Sequence, residues 1–212
     1  MTKKTFEPEK KPTKRALQAA ETKKKLLKAA FTLFAERGYD NVTVEDITKY
    51  AGVSKGTFYS HFIAKEAVLT EHFKQIEDLY VEAYRNMPKE LSTGEKVIRL
   101  SDAVCEFCEK ECGLAFMRVI YANHLLHNEH EMNVLNHPER KSIPILKEIF
   151  EEGKRRGDIP EIVDNDIFAR EVAHMAHGII YDWCMDGGSF NLREENRRIF
   201  EQLAKMASAY PQ

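Results

Sequence analysis

The 212-residue sequence holds no apolar run long enough to span a bilayer. Its start is rich in lysine with no apolar segment behind it, so no signal peptide is expected and a cytoplasmic, reducing setting is. In that setting the four cysteines read as thiols rather than disulfides. No stretch alternates convincingly with the two-residue period of a strand, and no internal repeat is visible. The sequence has no glycine-rich loop of the kind that cradles nucleotide phosphates, and no local motif marks a Cys–His nucleophile. An enzyme is thus a poorly supported reading, and no cofactor is implied.

What is present is charge, unevenly spread. An apolar content of 43% with 31% charged residues suits a soluble globular chain with a sizeable core. The formal net charge of −2 hides two opposite halves. Residues 1–65 carry 14 Lys+Arg against 7 Asp+Glu, a balance of +7, and the remainder carries 18 against 27, a balance of −9. A basic third joined to an acidic remainder suggests one part for a polyanion and another for a different task. A solvated, solubilising tail satisfies the same composition.

Residues 1–13, with Lys3, Lys4, Pro8, Lys10, Lys11 and Pro12, predict a disordered basic arm. From Lys14 to Arg37, Leu17, Ala20, Leu27, Ala30, Phe31 and Phe34 recur at helical spacing, and Gly38 ends the helix. Thr43 with Asp46 three positions on predicts a capped start for a second helix over about 44–50. Ser54 is the N-cap candidate for a short third helix reaching about His61. Lys65 opens a longer helix to about Arg85. Further helices are expected over about 93–111, 113–130, 139–156, 164–185 and 192–208, separated by Gly113, Pro138, Gly157–Pro160 and Gly187–Gly188. The chain reads as all-α, with roughly nine helices.

The stretch Asp46 to Phe62, DITKYAGVSKGTFYSHF, joins two short helices through Ala51-Gly52-Val53 and fits a helix-turn-helix. Val44, Ile47, Val53, Phe58 and Phe62 are the expected small core, with Phe31 and Phe34. Thr43, Ser54, Lys55, Thr57, Tyr59 and His61 are left for the surface. Short donors, a cation and an aromatic hydroxyl suit phosphates and base edges, and a helix start at Ser54 offers free N–H groups. An ordinary helical corner with a solvated face has the same spacing, and the basic arm upstream favours the nucleic-acid reading.

Residues 24–70 resemble the DNA-binding domain of the TetR family of transcriptional regulators. The residues that carry the resemblance run Ala29-Ala30-Phe31-Thr32-Leu33-Phe34-Ala35-Glu36-Arg37-Gly38-Tyr39, then Thr43-Val44, Ile47, the run from Ala51 to Phe62, and Lys65-Glu66. Glu151 to Ile159, EEGKRRGDI, is similar to the family's seventh helix and following turn. One departure is Ile63-Ala64, where the family usually places a polar cap. The resemblance implies a homodimeric repressor. Residues 14–64 would form a helix-turn-helix domain reading double-stranded DNA, and 65–212 a helical domain for a small organic effector and dimerisation. By position, Thr43 touches phosphate, Lys55 and Thr57 enter the major groove, Tyr59, His61 and Lys65 grip the backbone, Gly56 permits close approach, and Phe58 is core.

In the second domain Cys105, Cys108 and Cys112 share about 60° of one helix face. A thiol sensor, a soft-metal site and a plain thiol-lined core all fit that spacing, the last best. His124, His127 and Glu131 follow each other at helical spacing, and His174 and His177 form a second pair. One helix supplies too few ligands for a metal, so pocket or interface histidines are the expectation. Phe107, Phe116, Met117, Tyr121, His124, His174 and Trp183 are the candidate effector-binding set, with Met175 and Met185 adding soft bulk. Ile167, Val172, His174, Gly178, Ile179, Ile180, Ile199, Leu203 and Met206 are the candidates for a four-helix dimer interface.

Overall fold

A computed structural model describes residues 13–126 and 140–209, apart from the side chains of residues 72, 73, 124, 126 and 206–209. The chain divides after Lys65 into two compact units. Among the described residues every regular element is helical.

The first unit holds α1 (Lys14–Arg37), α2 (Val44–Ala51) and α3 (Lys55–Tyr59). Thr13, the last residue assigned to the arm, instead caps α1 by accepting from Ala16 N at 3.2 Å; residues 1–12 lie outside the described residues. Leu17 is 56% exposed and Ala20 is exposed, so the inward stripe of α1 begins only at Leu26. Leu26, Leu33, Phe34, Val42, Ile47, Phe58 and Phe62 supply the large buried side chains, while Phe31, Val44 and Val53 are half-buried.

The turn between α2 and α3 follows from local chemistry. Gly52 sits at φ 69°, ψ 35°, the left-handed region that a side chain disfavours. Its N–H reaches Lys49 O, and Val53 N–H reaches Thr48 O at 3.0 Å. That pair of bonds closes the last carbonyls of α2 and turns the chain sharply toward α3.

The second unit holds α4 (Glu66–Arg85), α5 (Thr93–Phe107), α6 (Leu114–Leu126), α7 (Ser142–Arg156), α8 (Asn165–Met185) and α9 (Leu192–Ala209). α5 is central, packed by α4, α7 and α9, with α8 against α6, α7 and α9. Leu100, Cys105, Ile149, Phe150, Ile180 and Trp183 belong to one continuous core. Residues 127–139, with His127, Glu131 and Pro138, lie outside the described residues.

Two features depart from the expected helix pattern. The helix predicted over 93–111 changes pitch: after Phe107 it widens into a single π turn, Cys108–Cys112, which Gly113 N closes onto Cys108 O at 2.9 Å. The wider turn sets Cys112 off the line of Cys105 and Cys108; it is half-buried where they are buried. The second feature is the start of α7, which has no side-chain cap of its own. Glu77 of α4 accepts instead from Lys141 N and, at 3.0 Å, from Ser142 N, while Arg140 Nε lies 3.7 Å from the same carboxylate.

Candidate nucleic-acid interface and effector region

The first unit carries the polar face. Thr43 and Asp46 form a reciprocal cap: Asp46 N donates to Thr43 Oγ1 at 3.1 Å, and Asp46 Oδ2 accepts from Thr43 N at 2.9 Å and Thr43 Oγ1 at 2.6 Å. Those bonds hold the Asp46 carboxyl below the usual carboxylate range. Ser54 caps α3 by accepting from Thr57 N at 3.1 Å, and the two hydroxyls lie 2.8 Å apart. Thr43, Ser54, Lys55, Gly56 and Tyr59 are exposed, Thr57 and His61 are half-buried, and Phe58 is fully buried as expected.

Lys55, at the first position of α3, does not stand free. Its Nζ pairs with Glu45 in the first turn of α2. The hydrogen bond from Lys55 lowers the Glu45 carboxyl, and the same bond raises the Lys55 ammonium. The pair spans the starts of the two helices. Glu45 was missed in the sequence, where ten positions separate it from Lys55 with only the turn geometry to join them.

Lys65 is also engaged within the unit. Its ammonium donates to Tyr39 O at 2.9 Å and Val42 O at 3.0 Å, and lies 4.0 Å from the Tyr39 ring centre. The role assigned to it in sequence was a grip on DNA phosphate. The structure gives it a local one first: two of its three N–H groups close the carbonyls of the loop that leads into α2. Gly56 behaves differently. Among the described residues a β-carbon there would meet nothing nearer than Ser54 Oγ at 3.8 Å, so packing among them does not demand glycine.

The candidate effector residues spread over several environments. Met117 and Trp183 sit in the core of the second unit, and Tyr121 packs against it. Tyr121 Oη donates to His177 O at 3.2 Å, and its ring meets Tyr181 edge-on at 5.6 Å. Burial pushes the Tyr121 hydroxyl well above its ordinary value. Phe116 is buried and Phe107 half-buried. His174 is exposed on the outer side of α8, away from the buried members of the set. The side chain of His124 lies outside the described residues.

The cysteines are free, and Cys105, Cys108 and Cys184 are buried. Cys184 was not part of the sequence-level set. Desolvation raises all four thiols, Cys112 to about 12 and Cys184 to about 11. Among the described residues no group of three or more His, Cys, Asp or Glu is arranged to hold a metal ion. None of their helices is long and apolar enough to cross a membrane.

Of the proposed dimer residues, Val172, Ile179 and Ile180 point into the core of their own unit. Ile167, His174, Gly178 and Leu203 are exposed, Ile199 is half-buried, and the Met206 side chain lies outside the described residues. Tyr181 and Met185 join the exposed set on α8.

Residues 26–72 match the family described as bacterial regulatory proteins, tetR family. An uncharacterized HTH-type transcriptional regulator of Bacillus subtilis, YhgD, is 27% identical over 162 residues, 76% of this chain and 83% of that protein. The fatty acid metabolism regulator protein of the same organism is 25% identical over 179 residues, 84% of this chain and 91% of the relative. The fold is similar to that of the transcriptional regulator FadR from Bacillus subtilis, solved with stearoyl-CoA, at a TM-score of 0.72 and 21% identity over 85% of this chain and 96% of that one. With their capped helix pair and left-handed glycine turn, residues 26–72 form a DNA-binding unit of the tetR family of bacterial regulatory proteins, and the chain as a whole shares the fold of the regulator FadR.

Proposed function

We propose that the protein is a ligand-responsive repressor that binds a pseudo-palindromic DNA operator as a homodimer and is released by a small organic effector. One observation carries the DNA half: two short capped helices meet at Gly52 and leave Thr43, Lys55, Gly56 and Tyr59 exposed. Among the described residues Gly56 in particular has no packing reason to be glycine, although alanine would favour the helix by about 1 kcal/mol. Close approach of a DNA backbone supplies the reason. Thr57 and His61 complete the contact set, and Lys65 adds its remaining N–H toward phosphate. The division of labour is residues 14–64 for DNA and 65–212 for effector and dimerisation, in the cytoplasm and without catalysis.

A second copy is the natural occupant of the exposed side of α8. Ile167, His174, Gly178, Tyr181 and Met185 follow coiled-coil spacing along it, and among the described residues nothing packs within 4 Å of a β-carbon placed on Gly178. Effector binding falls to Phe107, Phe116, Met117, Tyr121, His124 and Trp183; His174 fits the dimer face better. A largely apolar and aromatic set of side chains suits an apolar organic molecule. Long-chain acyl thioesters are the first class to test, because FadR is the protein solved with one. The effector favours a dimer state whose recognition helices are wrongly spaced for the operator, with α4 as the covalent continuation from the DNA unit.

Selection from a random DNA pool is the test, and an inverted repeat is the expected product. Lys55→Ala relaxes base preference at one position, at about 1–3 kcal/mol if it pairs a guanine. Effector and operator weaken each other equally, with a coupling of about 1–3 kcal/mol. Trp183, the only tryptophan, allows the titration in free protein and in the complex. A pool without enrichment, or equal effector affinities in the two titrations, overturns the reading.

A further inference from the structure

The ion pair between Lys55 and Glu45 has no clear use in folding. Both side chains are more than half exposed, 53% and 61%. Exposed pairs contribute little to stability and are screened by salt. Glu45 is also a costly neighbour for a DNA-binding surface, since it sets a carboxylate beside the residue that enters the groove. A surface that only needed affinity for phosphate would leave this lysine free.

We infer that Glu45 is a positioning residue for DNA sequence reading, which holds the Lys55 ammonium off the phosphate backbone and aims its remaining N–H groups at a base edge. The inference rests on the DNA-binding reading above. The reasoning is geometric. A lysine is a flexible point charge with three equivalent donors, so on its own it settles on whichever phosphate is near. Occupying one donor with a carboxylate from α2 fixes the head of the side chain relative to both helices. The remaining donors then point in set directions, as contacts to guanine O6 and N7 require. The carboxylate also neutralises the lysine locally and repels phosphate. Binding to random sequence, which depends on backbone charge alone, loses one contact, while the base contact is retained. Neighbouring polar groups are already committed: Asp46 is held by Thr43, and Ser54 by Thr57. Glu45 is therefore the group that sets where Lys55 rests.

The experiment compares wild type, Glu45→Gln, Lys55→Ala and the double variant on the selected operator and on random duplex DNA between 50 and about 300 mM salt. Glu45→Gln frees the lysine for phosphate. Affinity for random DNA should rise about eightfold at 0.1 M salt, with a salt slope steeper by about 0.9, the contribution of one added phosphate contact. Operator affinity should rise less or fall, so the ratio of specific to random binding drops. Base preference should relax at the position that Lys55→Ala also relaxes. On the Lys55→Ala background Glu45→Gln should leave the preference unchanged and add no phosphate contact to the slope, with only the small gain from removing the carboxylate's own repulsion. Equal tightening on both DNAs, or an undiminished effect without Lys55, overturns the inference and shows a general charge effect of Glu45. The random-DNA arm needs no operator. A wild type that binds duplex DNA but enriches no motif defeats the repressor reading instead, and can be told apart from either result.

Discussion

Substituting Gly153 by alanine reverses the usual preference of a helix interior. In an exposed helix alanine is favoured over glycine by about 1 kcal/mol. Here a β-carbon on Gly153 would meet Thr93 Oγ1 at 2.3 Å and two Ile159 side-chain atoms at 3.2 Å. The Thr93 hydroxyl is not free to retreat. It donates to Asp158 Oδ2 at 3.0 Å, and Thr93 N donates to the same oxygen at 3.1 Å. Moving it away loses a bond to a charged acceptor, worth about 1.5–3 kcal/mol. Overpacking against Ile159 adds about 1–3 kcal/mol. Set against the helix gain, the net cost is about 1.5–5 kcal/mol, with a central value near 3. At about 2–4 °C per kcal/mol, the melting transition of the second unit should fall by about 6–12 °C, as followed by circular dichroism. Thr93→Ala removes the obstructing atom, so on that background Gly153→Ala should cost far less or stabilise. A Gly153→Ala variant that melts at or above wild type, or costs that simply add in the double variant, would refute the reasoning.

Asp102 provides a pH test. Burial pushes its carboxyl up, but bonds from Arg193 at 2.8 Å and Arg197 at 2.9 Å prevail and hold it below the usual range. A depressed carboxylate contributes stability above its unfolded value and loses it as pH falls, so the second unit should weaken below about pH 4. Asp102→Asn should flatten that limb in urea titrations read at several pH values. Lys65→Ala leaves the carbonyls of Tyr39 and Val42 without their donor and should destabilise the first unit by about 1–3 kcal/mol in urea unfolding, whether or not DNA is present. The raised, largely buried thiols should react slowly: thiol reagents at pH 8 should modify Cys105 and Cys108 only as fast as the protein opens, and mild oxidant should leave operator affinity nearly unchanged. Rapid modification of either thiol in the folded protein would count against that account.

What could be read in sequence was local chemistry. The Thr43–Asp46 cap, the Ser54 cap and the glycine stops at Gly38, Gly52 and Gly157 each depend on residues within a few positions, and helix boundaries followed from them. Long-range partners left no mark. Glu77 is 65 positions from Ser142, and Lys65 is 26 from Tyr39. The Glu45–Lys55 pair depends on how sharply the chain turns at Gly52. The π turn at Cys108 has no composition of its own, since it exchanges one backbone partner for the next. Periodicity placed Leu17 and Ala20 on the same stripe as Phe34, but a stripe buries only where something packs against it. Residue type singles out an aromatic and soft set but gives no direction, and His174 lies on the outward side of α8.

The cap that α4 lends to α7 has a mechanical consequence. Glu77 is 3% and Arg140 5% exposed at the side chain, and the carboxylate closes the first amides of α7. Small displacements of α4 would leave the Glu77 carboxylate and the amides of Lys141 and Ser142 without the bonds they now share before water could reach them, which is costly for a buried charge. The cost falls again only once the gap admits solvent. The junction therefore works as a latch rather than a slide: α4 is seated or released, and partial travel is penalised.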